Sequence, residues 1–124
     1  DASATTSGVV AAQSNTIQAG YVAGTDAALL EFPTPDETIA ALRNGEVDSV
    51  LADKGFLVPY VNDSNGELVF IGDVILGEGI GIGTRQSDDA LRATLNGVIT
   101  EMKADGSLNT MITKWFGEDQ PLFE

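Results

Sequence analysis

Two stretches of this 124-residue sequence carry residue types that can hold a small charged molecule. The first ends at Asp53, the last residue of E-V-D-S-V-L-A-D. Apart from Asp48 and Ser49, residues 47–52 are apolar. A short apolar run directly after a helix stop reads as a buried parallel strand. A carboxylate at the carboxyl end of such a strand lies where open α/β sheets bind ligands. The second stretch is Q-S-N-T, Gln13, Ser14, Asn15 and Thr16, a polar turn between an apolar run and a weak helical pattern. Asn15 tolerates the left-handed region, and Asn15 or Thr16 can cap the helix that follows. Backbone N–H groups at that helix start offer a place for a carboxylate or phosphate. With the ends of the first and third strands side by side, an anion site faces a carboxylate across one crevice. A zwitterion fits that pair, its carboxylate on the turn and its ammonium on Asp53.

Composition removes other chemistries. The chain has no His and no Cys. That leaves out Ser-His-Asp and Cys-His catalysis, disulfides and thiolate metal sites, and no metal or cofactor is expected. A formal net charge of −13 repels nucleic acid and anionic membrane surfaces, so no nucleic-acid partner is expected. No apolar run approaches the roughly 20 residues of a membrane span. The glycines of G-E-G-I-G-I-G, residues 77–83, lack the Lys-Ser/Thr of a phosphate loop. The opening D-A-S-A-T-T-S-G reads as the start of a mature chain or of a shortened piece.

The elements that must position Asp53 and the turn follow in chain order. Residues 1–8 are a small, polar lead-in. Residues 9–12 are a first strand, residues 17–23 a helix with Gly20 inside it, and residues 27–32 a second strand. The strongest signals come next: Thr34 can cap a helix, Pro35 suits its first position and Glu37 completes a capping box. Ile39 and Leu42 give that helix an apolar stripe, and Asn44-Gly45 stops it. After the strand that ends at Asp53, a helix runs to about residue 61, disturbed by Pro59. Residues 62–66 form a loop. Residues 68–71 read as a strand and residues 80–83 as an extended, glycine-thinned return strand. A helix capped at Ser87 or Asp88 carries Leu91, Leu95, Val98 and Met102 on one face. A last helix starts at Ser107, with Leu108, Met111, Ile112 and Trp115 in line, and the tail from residue 118 is irregular. The order β-α-β-α-β-α-β predicts an α/β chain, a flavodoxin-like lobe with a mostly parallel sheet, plus two C-terminal helices.

Three pieces of this sequence resemble a known family: A-A-Q-S-N-T-I; P-D-E-T-I-A-A-L-R-N-G-E-V-D-S-V-L-A-D; and G-I-G-I-G-T-R-Q-S-D-D-A-L-R-A-T-L-N-G-V-I-T-E-M-K-A-D-G-S-L-N-T-M-I-T-K-W-F-G. They resemble the C-terminal part of amino-acid-binding periplasmic proteins of bacterial ABC importers. These are type II, family 3 solute-binding proteins of the histidine, lysine-arginine-ornithine and opine-binding kind. The resemblance implies two lobes closing on an amino acid or derivative, a membrane permease as partner and a periplasmic location. It implies that residues 1–77 are the second, ligand-binding lobe. Residues 78–124 then hold the return strand and helices of the first. Asp53 matches the acceptor of the ligand's α-ammonium, and Thr16 matches a hydroxyl position near its carboxylate. Asn15 stands where the family has Gly, and Ile17 where many members have a second Thr, so Ile17 keeps the N–H but not the hydroxyl. The N-terminal segment with the family's carboxylate-binding Arg and its aromatics is missing, which implies half a site.

A binding protein, not an enzyme, is therefore expected. The alternatives on the same scaffold are a cyclohexadienyl-dehydratase-like enzyme, with Asp53, Lys54 or Glu78 as proton carrier, and a sensor domain. A phosphoryl-accepting receiver domain needs acidic residues after its first strand for Mg²⁺, and this chain has Ala11-Ala12-Gln13-Ser14 there. Asp53 also has a bland alternative, as the cap of the helix that follows it. The two C-terminal helices are expected to pack on the lobe, on a second copy as a homodimer, or on a swapped partner.

Overall fold

The computed structural model describes residues 6–77, 79–117, 122 and 123. The elements are β1 (Val9–Gln13), α1 (Ile17–Ala23), β2 (Ala28–Phe32), α2 (Pro35–Arg43), β3 (Ser49–Val50), α3 (Lys54–Asn62), α4 (Asp89–Ala104) and α5 (Ser107–Phe116). They fall into two compact units, residues 1–78 and 79–124.

In the first unit β1 is the middle of a three-stranded sheet ordered β2-β1-β3, and both pairings are parallel. Val10, Ala11 and Ala12 of β1 are fully buried, as a strand with neighbours on both edges and helices packed on it must be. Those helices are α1 and α2, which bury Ala19 and Val22, and Ile39 and Ala41, respectively. Ala11, Ala41 and Val47 form the cluster against which Val9, Phe32, Leu42 and Val50 pack. Val47, the largest buried member of that cluster, contributes about 1.5–3 kcal/mol.

Local chemistry fixes the element ends. Thr34 and Glu37 form the full capping box, with Pro35 at the first helical position of α2. Asn15 adopts φ 61° before α1, the left-handed turn that Asn tolerates. At the start of the sheet Asp48 holds Val9 twice: its backbone N–H donates to the Val9 carbonyl at 2.8 Å, and its Oδ2 accepts from the Val9 N–H at 2.8 Å. Gly8, at φ +74°, makes room for that carboxylate, since a Cβ there would lie 2.7 Å from Asp48 Oδ2. Helix α3 carries Pro59 within it, so the Gly55 carbonyl has no helical donor.

Three expectations are corrected. The third strand is two residues long rather than six, although Asp48 and Leu51 extend its bonding to β1 at either end. Residues 68–71 are not a strand. Ser64 Oγ accepts from the Leu68 N–H at 3.0 Å and gives its one proton to the Val61 carbonyl at 2.7 Å, so a side chain takes a donor that a ladder would use. Residues 80–83 are not a strand either; glycine at positions 79, 81 and 83 weakens the extended state and leaves little to pack. The sheet of the described residues is therefore wholly parallel. The lead-in of residues 1–8 and the tail from residue 118 lie largely outside the described residues.

In the second unit α4 and α5 pack on each other, joined through Gly106 at φ 76°. Neither helix has a buried residue. Leu91, Val98, Met111 and Trp115 remain exposed, because an amphipathic stripe is buried only where a second surface meets it. The Asn109 amide pairs with the backbone of Phe123, donating to its carbonyl at 2.7 Å and accepting from its N–H at 2.9 Å. Lys103 Nζ stands 4.1 Å from the centroid of the Phe123 ring.

Candidate functional site

Asp53 follows β3 and stands at the N-cap position of α3. Its backbone carbonyl accepts from the N–H groups of Phe56 at 3.0 Å and Leu57 at 3.1 Å. Its side chain makes no capping bond, so the helix-cap role is not taken. Instead Oδ1 accepts a 2.7 Å hydrogen bond from Gln18 Nε2 of α1. The four ion pairs among the described residues join Arg43 to Glu67, Lys54 to Asp73, Arg85 to Asp88 and Arg92 to Asp89. None involves Asp53. The Asp53 carboxylate is thus exposed, oriented by a neutral amide, and free of any cation of its own unit.

The turn after β1 is built from its own hydrogen bonds. The Ser14 N–H donates to the Phe32 carbonyl at 2.9 Å, which ties the turn to the end of β2. Gln13 Nε2 donates to the Pro33 carbonyl at 3.1 Å. Thr16 caps α1: its Oγ1 accepts from the Ala19 N–H at 3.2 Å and donates to the Gln13 carbonyl at 2.6 Å. A hydroxyl has one proton, and that of Thr16 is spent within the turn.

Two clefts open on this region. The smaller, about 140 Å³, is lined by Gln13, Thr16, Gln18, Thr38, Asp53 and Phe56 among others. The larger, about 430 Å³, runs past Val50, Leu57, Leu68 and Phe70. Of the five residues expected at the site, Gln13, Thr16 and Asp53 share the smaller cleft. Ile17 lines the larger one with its side chain 64% exposed, and Ser14 lines neither. Gln18, Leu51, Ala52 and Asp53 line both, so the Gln18–Asp53 bond sits on the divide.

Sequence reasoning missed Gln18. The signal was available: with β1 beside β3, the first turn of the helix after β1 must abut the residue after β3, and Gln18 is two residues past the cap. The proton carriers considered for an enzyme are not assembled. Lys54 Nζ lies 3.2 Å from Asp73 Oδ2 and 5.9 Å from the Phe70 ring centroid, and Glu78 lies outside the described residues. In the larger cleft the Tyr60 hydroxyl donates to Asp36, and that bond is the main reason its pKa is raised above the ordinary phenol value. No group of acidic or other ligating side chains that could hold a metal is present among the described residues.

The profile of the bacterial extracellular solute-binding proteins, family 3, matches residues 6–118. A periplasmic His/Glu/Gln/Arg/opine family-binding protein from Silicibacter pomeroyi, solved in complex with lysine, is similar at 59% identity and a TM-score of 0.82. That match covers 93% of this chain and 53% of that one. An ancestral arginine-binding protein bound to arginine superposes at a TM-score of 0.74 with 26% identity, covering 90% of this chain and 52% of that one. By sequence, the putative ABC transporter arginine-binding protein 2 of Escherichia coli K12 is 34% identical over 80 residues, 60% of this chain and 32% of its own length. The histidine-binding periplasmic protein of Salmonella typhimurium is 30% identical over 98 residues, 73% of this chain and 38% of its own length. The chain spans about a third of the curated relatives it matches and about half of the solved ones. It is an α/β lobe with a parallel sheet and two following helices, and it belongs to the bacterial extracellular solute-binding proteins, family 3.

Proposed function

We propose that this chain is part of the periplasmic substrate-binding component of an ABC importer for polar amino acids or their derivatives. The observation that carries this reading is the Asp53 carboxylate, placed after β3 with a neutral amide as its partner and no cation. A negative charge left uncompensated at the carboxyl end of a parallel sheet suits a ligand ammonium. Residues 1–77 supply the ligand-binding lobe, and residues 78–124 belong with a first lobe that brings the residues for the other side of the ligand. The membrane permease is the second partner. Gln13 and Thr16 line the smaller cleft together with Asp53. Because the Thr16 proton is already donated to Gln13, the ligand carboxylate is assigned to the backbone N–H of Ile17 rather than to the Thr16 hydroxyl.

The exposed faces of α4 and α5 are covered by the first lobe in this reading; a homodimer through the same helices is the other cover. Basic amino acids are the first ligands to try, since relatives include an arginine-binding protein and a protein solved with lysine. An enzyme is the weaker reading, with Lys54 engaged by Asp73.

Titrating L-lysine into the complete two-lobed protein by calorimetry tests the assignment. Asp53→Asn keeps the shape and removes the charge. It should weaken binding about 10-fold or more, because a hydrogen bond to a charged group is worth about 1.5–3 kcal/mol and 1.4 kcal/mol is a factor of ten. Since Asp53 makes no capping bond, Asp53→Ala should change stability by no more than about 0.5 kcal/mol. Unchanged affinity in the Asn variant would overturn the ammonium role.

A further inference from the structure

We infer that Gln18 is the positioning residue of the ammonium site: it sets the Asp53 carboxylate for the ligand without neutralising it. This rests on the reading of Asp53 given above. The two residues are 35 positions apart and come from different elements, α1 and the start of α3. A carboxylate accepts and never donates, so the 2.7 Å bond must run from the Gln18 amide N–H to Oδ1. That length is typical of charge-assisted bonds, which are stronger and more directional than neutral ones.

An exposed aspartate held by nothing samples several χ1 rotamers, and a ligand would have to select one of them. The Gln18 bond makes that selection before the ligand arrives and lowers the ordering cost of binding. It engages Oδ1 and leaves Oδ2 for the incoming ammonium.

The identity of the partner matters as much as its reach. Lys54 is the next residue in the chain and the nearest cation by sequence, but its ammonium is drawn to Asp73 at 3.2 Å and toward the Phe70 ring. A cation on Asp53 would occupy the place of the ligand ammonium and cancel the field that attracts it. A neutral donor orients the carboxylate and leaves its charge intact. Gln18 also lines both clefts, as Asp53 does, so one hydrogen bond decides which wall the carboxylate follows.

The test uses two substitutions, read by calorimetry with L-lysine on the complete protein and by thermal melts. Gln18→Ala removes the orienting bond and should weaken binding about 3- to 10-fold. Gln18→Lys places an ammonium against Asp53. It should weaken binding more than 10-fold while the melting temperature stays level or rises, because the new ion pair helps the fold and harms the site. A merely structural Gln18 would move affinity and stability in the same direction. In an Asp53→Asn background Gln18→Ala should add almost nothing, since it acts through the charge that has been removed. If Asp53→Asn weakens binding but Gln18→Lys does not, this inference fails and the Asp53 assignment stands. Equal losses from Gln18→Ala in both backgrounds would also overturn it. If Asp53→Asn itself binds L-lysine normally, the site assignment falls and takes this inference with it.

Discussion

Helices α2 and α5 are both short and amphipathic, and they end in opposite circumstances. Helix α2 begins with a capping box and buries Thr38, Ile39 and Ala41. Helix α5 begins after Gly106 with no side-chain cap and buries nothing. The apolar stripe of α5 is as regular as that of α2. What differs is the neighbour: α2 lies on β1, whereas the described residues of the second unit offer α5 little beyond α4. A helical pattern specifies which face seeks cover, and only the rest of the fold supplies the cover.

Core truncation should show the largest contrast. Ile39, 3% exposed, should cost about 2–5 kcal/mol on change to Ala. Leu91, 50% exposed on α4, should cost within about 0.5 kcal/mol under the same change in this chain. Denaturant titration of both variants measures the difference. Repeating the Leu91→Ala measurement in the complete two-lobed protein sharpens it, because a covered Leu91 moves toward the Ile39 value. Equal costs in the 124-residue chain would mean that α4 is covered there too.

Cap removal should give the next largest effect. Thr34→Ala removes the hydroxyl that accepts from the Glu37 N–H, the side-chain half of the capping box, and should cost about 1 kcal/mol. Asp88 stands at the N-cap position of α4 but makes no capping bond, so Asp88→Ala should stay within about 0.5 kcal/mol. Thermal melts of the pair decide whether the two units really differ in how their helices begin.

The smallest effect is an acid response confined to the second unit. The Ser107 hydroxyl, and then its backbone N–H, hold the Asp105 carboxylate below its ordinary pKa of 3.8. A carboxylate whose folded pKa is lowered stabilises the fold above the unfolded value, and that contribution fades as pH falls from 3.8 through the folded value. Asp105 accepts from the N–H of Ser107, the first residue of α5, so α5 should lose some helicity in that window. Circular dichroism across the acid limb should show a slope that Asp105→Asn flattens. An unchanged slope would separate Asp105 from the start of α5.

Much of the first unit was legible because each signal was local. Thr34, Pro35, Glu37, Asn44 and Gly45 mark the ends of α2 without reference to anything distant, and Thr16 does the same for the start of α1. The apolar residues of β1 announced a strand. The failures were questions of partnership. Residues 68–71 have a strand's composition, but composition does not reveal that Ser64 Oγ takes the Leu68 N–H. The residues after the third strand were readable as a carboxylate at a sheet end. Their lateral neighbour Gln18 was missed although the expected adjacency of β1 and β3 sets the first turn of α1 against the residue after β3. Lys54 was weighed as a proton carrier for want of His, while its actual partner is 19 residues further along.

The central position of β1 governs how this protein exchanges hydrogen with solvent. β1 pairs with a strand on each side, and Val10, Ala11 and Ala12 have no exposed surface. Deuterium reaches those amides only when the sheet parts and α1 and α2 lift away, so they report opening of the whole first unit. The amides of α4 and α5, whose helices bury no residue, are reached through local fraying. One polypeptide thus keeps two clocks: a slow one in the lobe that holds Asp53, and a fast one in the helices that follow it.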